Sequence, residues 1–479
     1  MIKEAKISHI KESQHDVIYP IYKIKDVCHQ ITEITGYNLS SDVDKSFGKV
    51  TIIHTLGKLP YRHIYFVGLG DIESITEDRL LEAFGKVIKS VESKQVSVDL
   101  KRAISDKFGL QALAKIFSEA CILANYKFEK DSSLSEKGKT YHLISNESIE
   151  KAIFEGQVLG EAVNQARNLA NMPPNLLNPL DLANHALSIA EKYQLEIDLF
   201  DNERLEAIEA GGILAVNQGS AIEARLIVVK YQGKKGEPFT ALVGKGVTFD
   251  SGGYNLKPAT SMTNMKSDMS GAATVLATLE AVARLKLPVN LYAIVPTTEN
   301  MINGDAYKCD DVITTLSKKT VEVTNTDAEG RIVLADALTY AGRLEVAKII
   351  DVATLTGACI IALGEKVTGA FSNDDKFYAE VEKASQSTSE LIWRLPLYPH
   401  YSEYLKKSLV ADLINTAIGQ GGGASIAASF LQEFVPENVS WVHLDIAATA
   451  SAKNAATLTP KGATGVMVKT LTQYFLNQI

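Results

Sequence analysis

The chain has 479 residues, of which 46% are hydrophobic and 22% are charged, and its formal net charge is −8. This composition is that of an ordinary globular protein, and the length favours two domains over one. The acidic balance disfavours a nucleic-acid groove as the main functional surface, because such surfaces are usually basic. No stretch of the sequence reaches the roughly 20 apolar residues that a membrane helix needs.

The cysteines and the first residues indicate the compartment. Cys28, Cys121, Cys309 and Cys359 are scattered without CxxC spacing, which argues against both a disulfide framework and a zinc–thiolate site. The opening segment "MIKEAKISHIKESQHD" lacks the apolar core of a secretory signal. We therefore expect a cytoplasmic protein without a membrane anchor.

The first 150 residues alternate between strand-like and helix-like segments. Amphipathic patterns predict helices over 76–91 and 107–125, and a stretch rich in Glu, Lys and Ser predicts a solvated loop over 129–139. The predicted strands are "HDVIYPIYKI" (15–24), "KVTIIHTL" (49–56), "RHIYFVGLG" (62–70) and "QVSVDL" (95–100). This alternation predicts a smaller N-terminal α/β domain over 1–150.

A helical pattern then runs into "NMPPNLLNP", whose prolines must end it, so we expect a linker helix over 151–172. The remainder, 173–479, alternates again and is predicted to be a larger catalytic domain. Its predicted strands are "EIDLF" (196–200), "ARLIVVKY" (224–231), "FTALVGKG" (239–246), "PVNLYAIVPTT" (288–298), "VAKIIDVATLTG" (346–357) and "VSWVHLDIA" (439–447). Nearly continuous apolar strands separated by helices predict a central, mostly parallel sheet flanked by helices.

Ligands of such sheets bind beyond the carboxyl ends of the strands. In "FTALVGKGVTFDSGG" (239–253) a predicted strand runs into a glycine-rich loop. This loop lacks the Walker pattern and carries Asp250, which would repel a phosphate. A second segment, "VGLGDIES", lacks the third glycine of a dinucleotide fingerprint. Neither segment supports a nucleotide site.

Four carboxylates fall in loops at the predicted edge of the sheet: Asp250, Asp268, Asp327 and Glu329. Each alone could be a turn residue or a helix cap. Together they need cations, because like charges a few ångströms apart are costly. Two divalent metals about 3.5–4 Å apart would neutralise the cluster and form a hydrolytic site. Oxygen ligands favour Mg²⁺ or Mn²⁺, and none of the nine histidines lies in these loops, so zinc would be bound atypically. A neutral lysine amine could also bind a metal, because a nearby cation lowers the pKa of a lysine.

Three segments, "VGKGVTFDSGG", "MKSDMSGAA" and "NTDAEGRIVLADAL", resemble the signatures of the leucyl (cytosol) aminopeptidase family of two-metal exopeptidases. The resemblance extends over residues 160–475 and is weak in the first 150 residues. It implies that Lys245, Asp250, Asp268 and Glu329 hold one metal ion. Asp250, Asp327 and Glu329 would hold the other, and Asp250 and Glu329 would bridge the pair.

The resemblance also implies that Lys257 and Arg331 are catalytic, with Arg331 holding a bicarbonate ion as the general base. The expected substrates are peptides with a free N-terminus, cleaved after a leucine-like or other neutral residue by a metal-bridging hydroxide. The family implies a homohexamer and accepts zinc, manganese or magnesium. The predicted lining of the pocket for the first side chain is Met265, Thr354, Leu355 and Gly357.

The chain departs from the family pattern in "DIAATASAK", where Ala450 takes the place of a bulky pocket residue, and in the glycine-rich "GQGGGAS". The residue preference of the first pocket therefore stays open. Two other functions also remain open. A carboxylate-rich dinuclear site serves phosphoesterases equally well, with Lys257 and Arg331 clamping a phosphate. A non-enzymatic binding protein on the same fold is the third alternative.

Overall fold

A computed structural model describes residues 2–5, 15–23, 32, 36–128 and 138–479. The chain divides into two compact units, one of Met1–Glu161 with Ala455–Pro460 and one of Ala162–Asn454 with Lys461–Ile479. Both units combine helices with a sheet, so the predicted two-domain α/β class is confirmed. The loop predicted over 129–139 lies, except for its last two residues, outside the described residues. No helix in the described ranges is long and apolar enough to cross a bilayer.

The first unit contains, within its described residues, a six-stranded sheet with the order β1-β6-β5-β2-β4-β3. Neighbouring strands are parallel except for β3 and β4. The strands are β1 (Ile2–Ala5), β2 (Asp16–Ile21), β3 (Val50–His54), β4 (His63–Gly68), β5 (Gln95–Val98) and β6 (Thr140–Ile144). The longer helices in the described residues of this part of the chain are α1 (Glu77–Ser90), α2 (Leu110–Ala124) and α3 (Glu150–Asn171), with short 3₁₀ turns at Ile72–Ser74 and Leu100–Ala103.

Both faces of this sheet are covered by apolar side chains. Along β2, Ile18 belongs to the cluster formed with α1 and α2, whereas Val17 and Tyr19 belong to a cluster on the other face. This alternation follows from the two-residue period of a strand. Helix α3 ends two residues before Pro173, as the proline-rich segment predicted. The boundary between the two units falls within α3, between Glu161 and Ala162.

The second unit contains, in its described residues, a nine-stranded sheet with the order β16-β15-β18-β14-β9-β11-β8-β7, and β10 also pairs with β11. Its central strands β18, β14, β9 and β11 are parallel. The strands are β7 (Glu196–Phe200), β8 (Arg225–Gln232), β9 (Thr240–Gly244), β10 (Gly246–Asp250), β11 (Asn290–Asn300), β14 (Lys348–Ala353), β15 (Thr368–Ser372), β16 (Ile392–Arg394) and β18 (Ser440–Asp445). Two small sheets contain β12 (Val312–Thr314), β13 (Thr320–Glu322) and β17 (Leu413–Ile414), and β19 (Ser451–Ala452) and β20 (Gly462–Ala463).

Eleven further helices belong to the described part of the second unit. They are α4 (Pro179–Tyr193), α5 (Asn202–Ala207), α6 (Gly211–Asn217), α7 (Ala259–Met262), α8 (Ser270–Leu285), α9 (Glu329–Arg343), α10 (Gly357–Leu363), α11 (Asp375–Thr388), α12 (Pro399–Leu405), α13 (Gly423–Gln432) and α14 (Val468–Leu476), with a 3₁₀ turn at Met265–Ser267. Helices α8 and α9 are buried along most of their length.

Helices α8 and α9 pack on opposite faces of the central strand β9. Val243 belongs to the apolar cluster that contains Ile332 of α9. The next residue, Gly244, points the other way, where an added Cβ would lie 2.8 Å from the backbone of Ala272 in α8. The glycine therefore lets the start of α8 approach the end of the strand. This close approach brings the residues just before α8 to the edge where the parallel strands end.

Candidate metal centre

The carboxyl ends of the parallel strands deliver four polar residues to one edge of the large sheet. Lys245 follows β9, Asp250 ends β10, Asn300 ends β11 and Thr354 follows β14. The backbone after Asp250 turns sharply at Gly252 and Gly253, whose φ angles are +88° and +63°. Side chains other than glycine rarely adopt these angles. The turn leads to Lys257.

The starts of α8 and α9 contribute the other charged residues. Asp268 lies between the 3₁₀ turn Met265–Ser267 and α8, and Glu329 is the first residue of α9. Asp327 lies two residues before that helix, and Arg331 lies in its first turn. Carboxylates at helix N-termini are favoured by the helix dipole. The structure thus brings together all seven residues predicted from the sequence as metal ligands or catalytic groups.

Lys245 is buried among the carboxylates. Its ammonium lies 2.8 and 2.7 Å from the two carboxylate oxygens of Asp268 and 2.8 Å from Oε1 of Glu329. It also donates a 3.0 Å hydrogen bond to the carbonyl of Thr354. Burial acts to lower the pKa of this lysine, but the charges of Asp268, Glu329 and Asp250 outweigh it and hold the pKa above its ordinary value.

Lys257 pairs with the other two carboxylates of the cluster. Its Nζ lies 2.8 Å from Oδ2 of Asp250 and also pairs with Asp327. Burial acts to lower the pKa of Lys257, and the nearby charges, first that of Asp250, raise it on balance. Two lysines therefore balance part of the charge of the four carboxylates.

The carboxylates themselves titrate differently. Burial and the charge of Glu329 raise the pKa of Asp250 to about 6, against the opposing effect of Lys257. Burial also raises the pKa values of Asp268 and Asp327. Burial acts in the same direction on Glu329, but Lys245 and Lys257 outweigh it and lower the pKa of this residue. Such perturbed carboxylates are typical of functional sites.

Three of the carboxylates have the geometry of a metal site. One oxygen each from Asp250, Asp327 and Glu329 can be chosen so that all three lie within 4.8 Å of one another. Asp250 and Glu329 are fully buried, whereas Asp327 is a third exposed, so the cluster is open on one side. A buried, oxygen-rich donor set of this kind fits a divalent cation such as Mn²⁺ or Mg²⁺. Asp268 adds a fourth carboxylate beside it, paired with the ammonium of Lys245, which could bind a metal ion only after losing its proton.

Arg331 lies beside this cluster in a buried position. Its Nη1 donates a 2.9 Å hydrogen bond to the carbonyl of Asn415, whereas its Nε has no hydrogen-bond partner among the described residues. Burial lowers the pKa of Arg331 to about 10, which still leaves it charged at neutral pH. A buried cation with an unused donor can hold an anion.

Two of the four residues predicted to line the first pocket contact Asp268. Thr354 donates a 2.7 Å hydrogen bond to Oδ1 of Asp268, and the carbonyl of Met265 accepts a 3.3 Å bond from the backbone of Asp268. Leu355 donates its backbone N–H to Asp445 at 3.2 Å. Gly357 begins α10, and an added Cβ there would meet nothing within 4 Å.

Ala450, the residue at the departure from the family pattern, is buried. It lines a small internal cavity with Ser270 and Gly465.

Sequence reasoning missed two buried asparagines that hold the segment "NTDAEGR" in place. Asn300 donates to Asp250 at 2.8 Å and to the carbonyl of Thr326 at 3.1 Å. Asn415 donates to the carbonyl of Asn325 at 2.6 Å and accepts from the backbone of Thr324 at 2.8 Å. The position of Asn300 at the end of a predicted strand was a usable signal. Asn415 gave none, because it lies about 90 residues along the chain from its partners.

The family assignment rests on two models that match adjacent parts of the chain. The model for the catalytic domain of the cytosol aminopeptidase family matches residues 164–472. The chain belongs to this family. The model for the family's N-terminal domain matches residues 40–161. The resemblance stated from the motifs is thereby confirmed, and membership supports a metal-dependent aminopeptidase.

Two solved structures are similar to this chain over nearly its whole length. Both are of the bottromycin maturation enzyme BotP, at 32% sequence identity, and they cover 97% of this chain and 99% of that chain. The TM-scores are 0.85 and 0.86, and the second structure is a complex with Mn. A manganese-bound relative agrees with the oxygen-rich donor set found here.

Proposed function

We propose that this protein is a metal-dependent aminopeptidase that removes the N-terminal residue, leucine-like or otherwise neutral, from peptides with a free amino terminus. One observation carries the proposal. Oxygens of Asp250, Asp327 and Glu329 converge within 4.8 Å, in a chain that belongs to the cytosol aminopeptidase family. The flanking Lys257 and Arg331 supply the further cations that peptide hydrolysis needs.

Two divalent ions would be held by the residues that the structure brings together. Lys245, Asp250, Asp268 and Glu329 would hold one ion, and Asp250, Asp327 and Glu329 would hold the other. When bound, such a pair lowers the pKa of a shared water from ~15.7 towards neutrality and so supplies hydroxide. The donor set favours Mn²⁺ or Mg²⁺ over Zn²⁺, and the Mn complex of BotP makes Mn²⁺ the first ion to test.

The residues that do not bind metal would act on the substrate. The ammonium of Lys257, which lies against Asp250 and Asp327, can donate a hydrogen bond to the carbonyl oxygen of the scissile bond. With Asp327 and Glu329 committed to metal, neither is free to act as the base. Arg331, which is buried and has an unused Nε donor, would hold a bicarbonate ion that accepts the proton of the attacking water.

The free amino terminus and the first side chain would set the selectivity. An unblocked α-amine can complete the coordination at the acidic cluster, whereas an acylated amine cannot. The first side chain would lie against Met265, Thr354, Leu355 and Gly357, which offer no charged group and so favour neutral residues. The homohexamer, the cytoplasmic location and the absence of a nucleic-acid partner stay predictions.

The proposal is tested with purified protein loaded with Mn²⁺ or Zn²⁺. We expect release of amine from leucine p-nitroanilide and from a panel of amino-acid amides, and no release from N-acetyl-leucine p-nitroanilide. The same preparation should not hydrolyse p-nitrophenyl phosphate, which is the substrate of the phosphoesterase alternative. Phosphate release without amide hydrolysis would refute the proposal, and inactivity on both substrates would favour a binding protein.

A further inference from the structure

Asn300 lies at the end of β11 and is completely buried. Its side-chain amide stands between the loop that carries Asp250 and the loop that carries Asp327. The Nδ2 group donates one hydrogen bond to Oδ1 of Asp250 at 2.8 Å and another to the carbonyl of Thr326 at 3.1 Å. Thr326 immediately precedes Asp327, so a single amide connects two of the three converging carboxylates.

The orientation of this amide follows from its neighbours. The Asp250 carboxylate and the Thr326 carbonyl can only accept hydrogen bonds, so the two hydrogens on Nδ2 must point towards them. The reversed amide would place its oxygen against those two acceptors. The amide oxygen instead lies beside Gly253, where an added Cβ would be only 3.0 Å away, and it has no hydrogen-bond partner among the described residues.

The two carboxylate oxygens of Asp250 have different partners. Oδ1 accepts hydrogen bonds from Asn300 and from the backbone N–H of Gly252, each at 2.8 Å. Oδ2 lies 2.8 Å from the ammonium of Lys257, which also pairs with Asp327. Oδ1 is therefore engaged by fixed donors, whereas Oδ2 shares the ammonium of Lys257 with Asp327.

Thr326 is fixed from several directions at once. Its carbonyl also accepts a 2.7 Å hydrogen bond from the hydroxyl of Tyr307, and its own hydroxyl donates to the carbonyl of Gly252 at 2.6 Å. The loop of Asp250 and the loop of Asp327 are thus connected through Asn300, through the Thr326 hydroxyl and through Asn255, whose side chain accepts from the backbone N–H of Thr326 at 2.7 Å. Removing the amide would leave the rotation of the Asp250 side chain to the Gly252 donor on Oδ1 and the ammonium of Lys257 on Oδ2.

We propose that Asn300 is a positioning residue for the metal centre: its amide fixes which oxygen of Asp250 faces Asp327 and holds the two loops at the separation that a shared cation requires. The inference rests on the proposed function, because that function requires a bound metal ion. Groups that orient ligands in this way typically contribute 10- to 100-fold to metal affinity. They do so by reducing the reorganisation that binding would otherwise require.

The test compares Asn300→Ala and Asn300→Asp with Thr298→Val as the matched control. Thr298 lies two residues earlier on β11, is equally buried, and its hydroxyl has no partner among the described residues. Asn300→Ala removes both N–H donors of the side-chain amide, whereas Asn300→Asp replaces the amide nitrogen with a carboxylate oxygen that repels Asp250. Full-length protein stripped by chelation is titrated with Mn²⁺ in a calorimeter, and its melting temperature is recorded before metal is added.

We expect the Mn²⁺ dissociation constant to rise 10- to 100-fold in Asn300→Ala and further in Asn300→Asp, and to stay within twofold in Thr298→Val. A merely structural asparagine would lower the melting temperature of both variants without changing the Mn²⁺ dissociation constant, and that result overturns the inference. If Asn300→Asp does not fold, Asn300→Ala decides. Wild-type protein that binds Mn²⁺ but leaves leucine p-nitroanilide intact would refute the proposed function alone.

Discussion

Gly330 lies in the first turn of α9, directly against the side chain of Lys245. A Cβ added at this position would be 2.5 Å from Cε of Lys245, 2.6 Å from Nζ and 2.9 Å from Cδ. Ordinary contacts begin at 3.4 Å, so the end of the lysine would have to retreat by 3.4 − 2.5 = 0.9 Å. The ammonium cannot retreat so far and keep its 2.8 Å contact with Glu329 and its contacts with Asp268.

We therefore expect Gly330→Ala to impair the metal centre far more than the fold. Overpacking costs about 1–3 kcal/mol, and the better helix propensity of alanine returns about 1 kcal/mol, so the net loss of stability is about 0–2 kcal/mol. A displacement of about 1 Å at a reacting centre can reduce the rate about 100-fold. We expect a similar loss in kcat/KM for leucine p-nitroanilide, together with weaker binding of the ion that Lys245 would hold.

The assay measures kcat/KM, bound metal and the melting temperature for Gly330→Ala and for the control Gly304→Ala. Gly304 is exposed, and a Cβ there would meet nothing within 4 Å, so the control should match the wild type in all three quantities. The reasoning is wrong if Gly330→Ala keeps its full metal content and a kcat/KM within threefold of the wild type. Such a result would mean that Lys245 is not needed where the structure places it.

Three further predictions concern charged groups. Lys257→Ala and Arg331→Ala should each lower kcat about 100-fold or more while metal content, measured by mass spectrometry, stays nearly unchanged; full activity in both contradicts their roles. Asp250→Ala should lose metal and activity together, and two tightly bound ions in this variant would exclude a bridging role. Burial acts to raise the pKa of Glu433, but hydrogen bonds from Ser402 and two lysines outweigh it and lower the pKa to about 2. Its stabilising effect is therefore present above about pH 4.5 and lost as the pH falls towards 2, so Glu433→Gln should cost about 1–2 kcal/mol in urea unfolding at pH 7 and nothing near pH 2.

The local pattern of the sequence was sufficient to predict most of the longer strands. β7 coincides with the predicted "EIDLF", in which charged and apolar residues alternate, and β9 and β18, which are buried along nearly their whole length, lie inside their predicted segments. The short strand β10 was read as part of a loop. It forms because the chain continues beside β11 past Lys245, in the register of β9 as far as Val247 and with an irregular register near Phe249. A pattern of apolar residues records burial and not the choice of a pairing strand, so such a continuation could not be predicted.

The location of the site could be predicted from the sequence, whereas the contacts within it could not. The charged residues of "NTDAEGR" and of the loop after β9 could be assigned to one sheet edge, because the ends of parallel strands meet there. Their pairing could not be predicted. Lys245 contacts Asp268 and Glu329, whereas Lys257 contacts Asp250 and Asp327. Likewise Ala455–Pro460 belongs with the first unit, although nothing in the composition of that segment separates it from its neighbours.

The pairing of the two lysines has a consequence for the order of events at the site. A cation that binds Asp250 and Asp327 must compete with Lys257, since the ammonium already contacts both side chains. Loading would therefore exchange a protein cation for a metal ion and release Lys257 from the carboxylates. The released lysine would lie beside the new cation, which acts to lower its pKa, whereas the carboxylates that remain nearby act to raise it. The residue that balances the charge of the carboxylates is then the one available to contact the substrate carbonyl, which explains why a lysine suits this position better than a neutral donor.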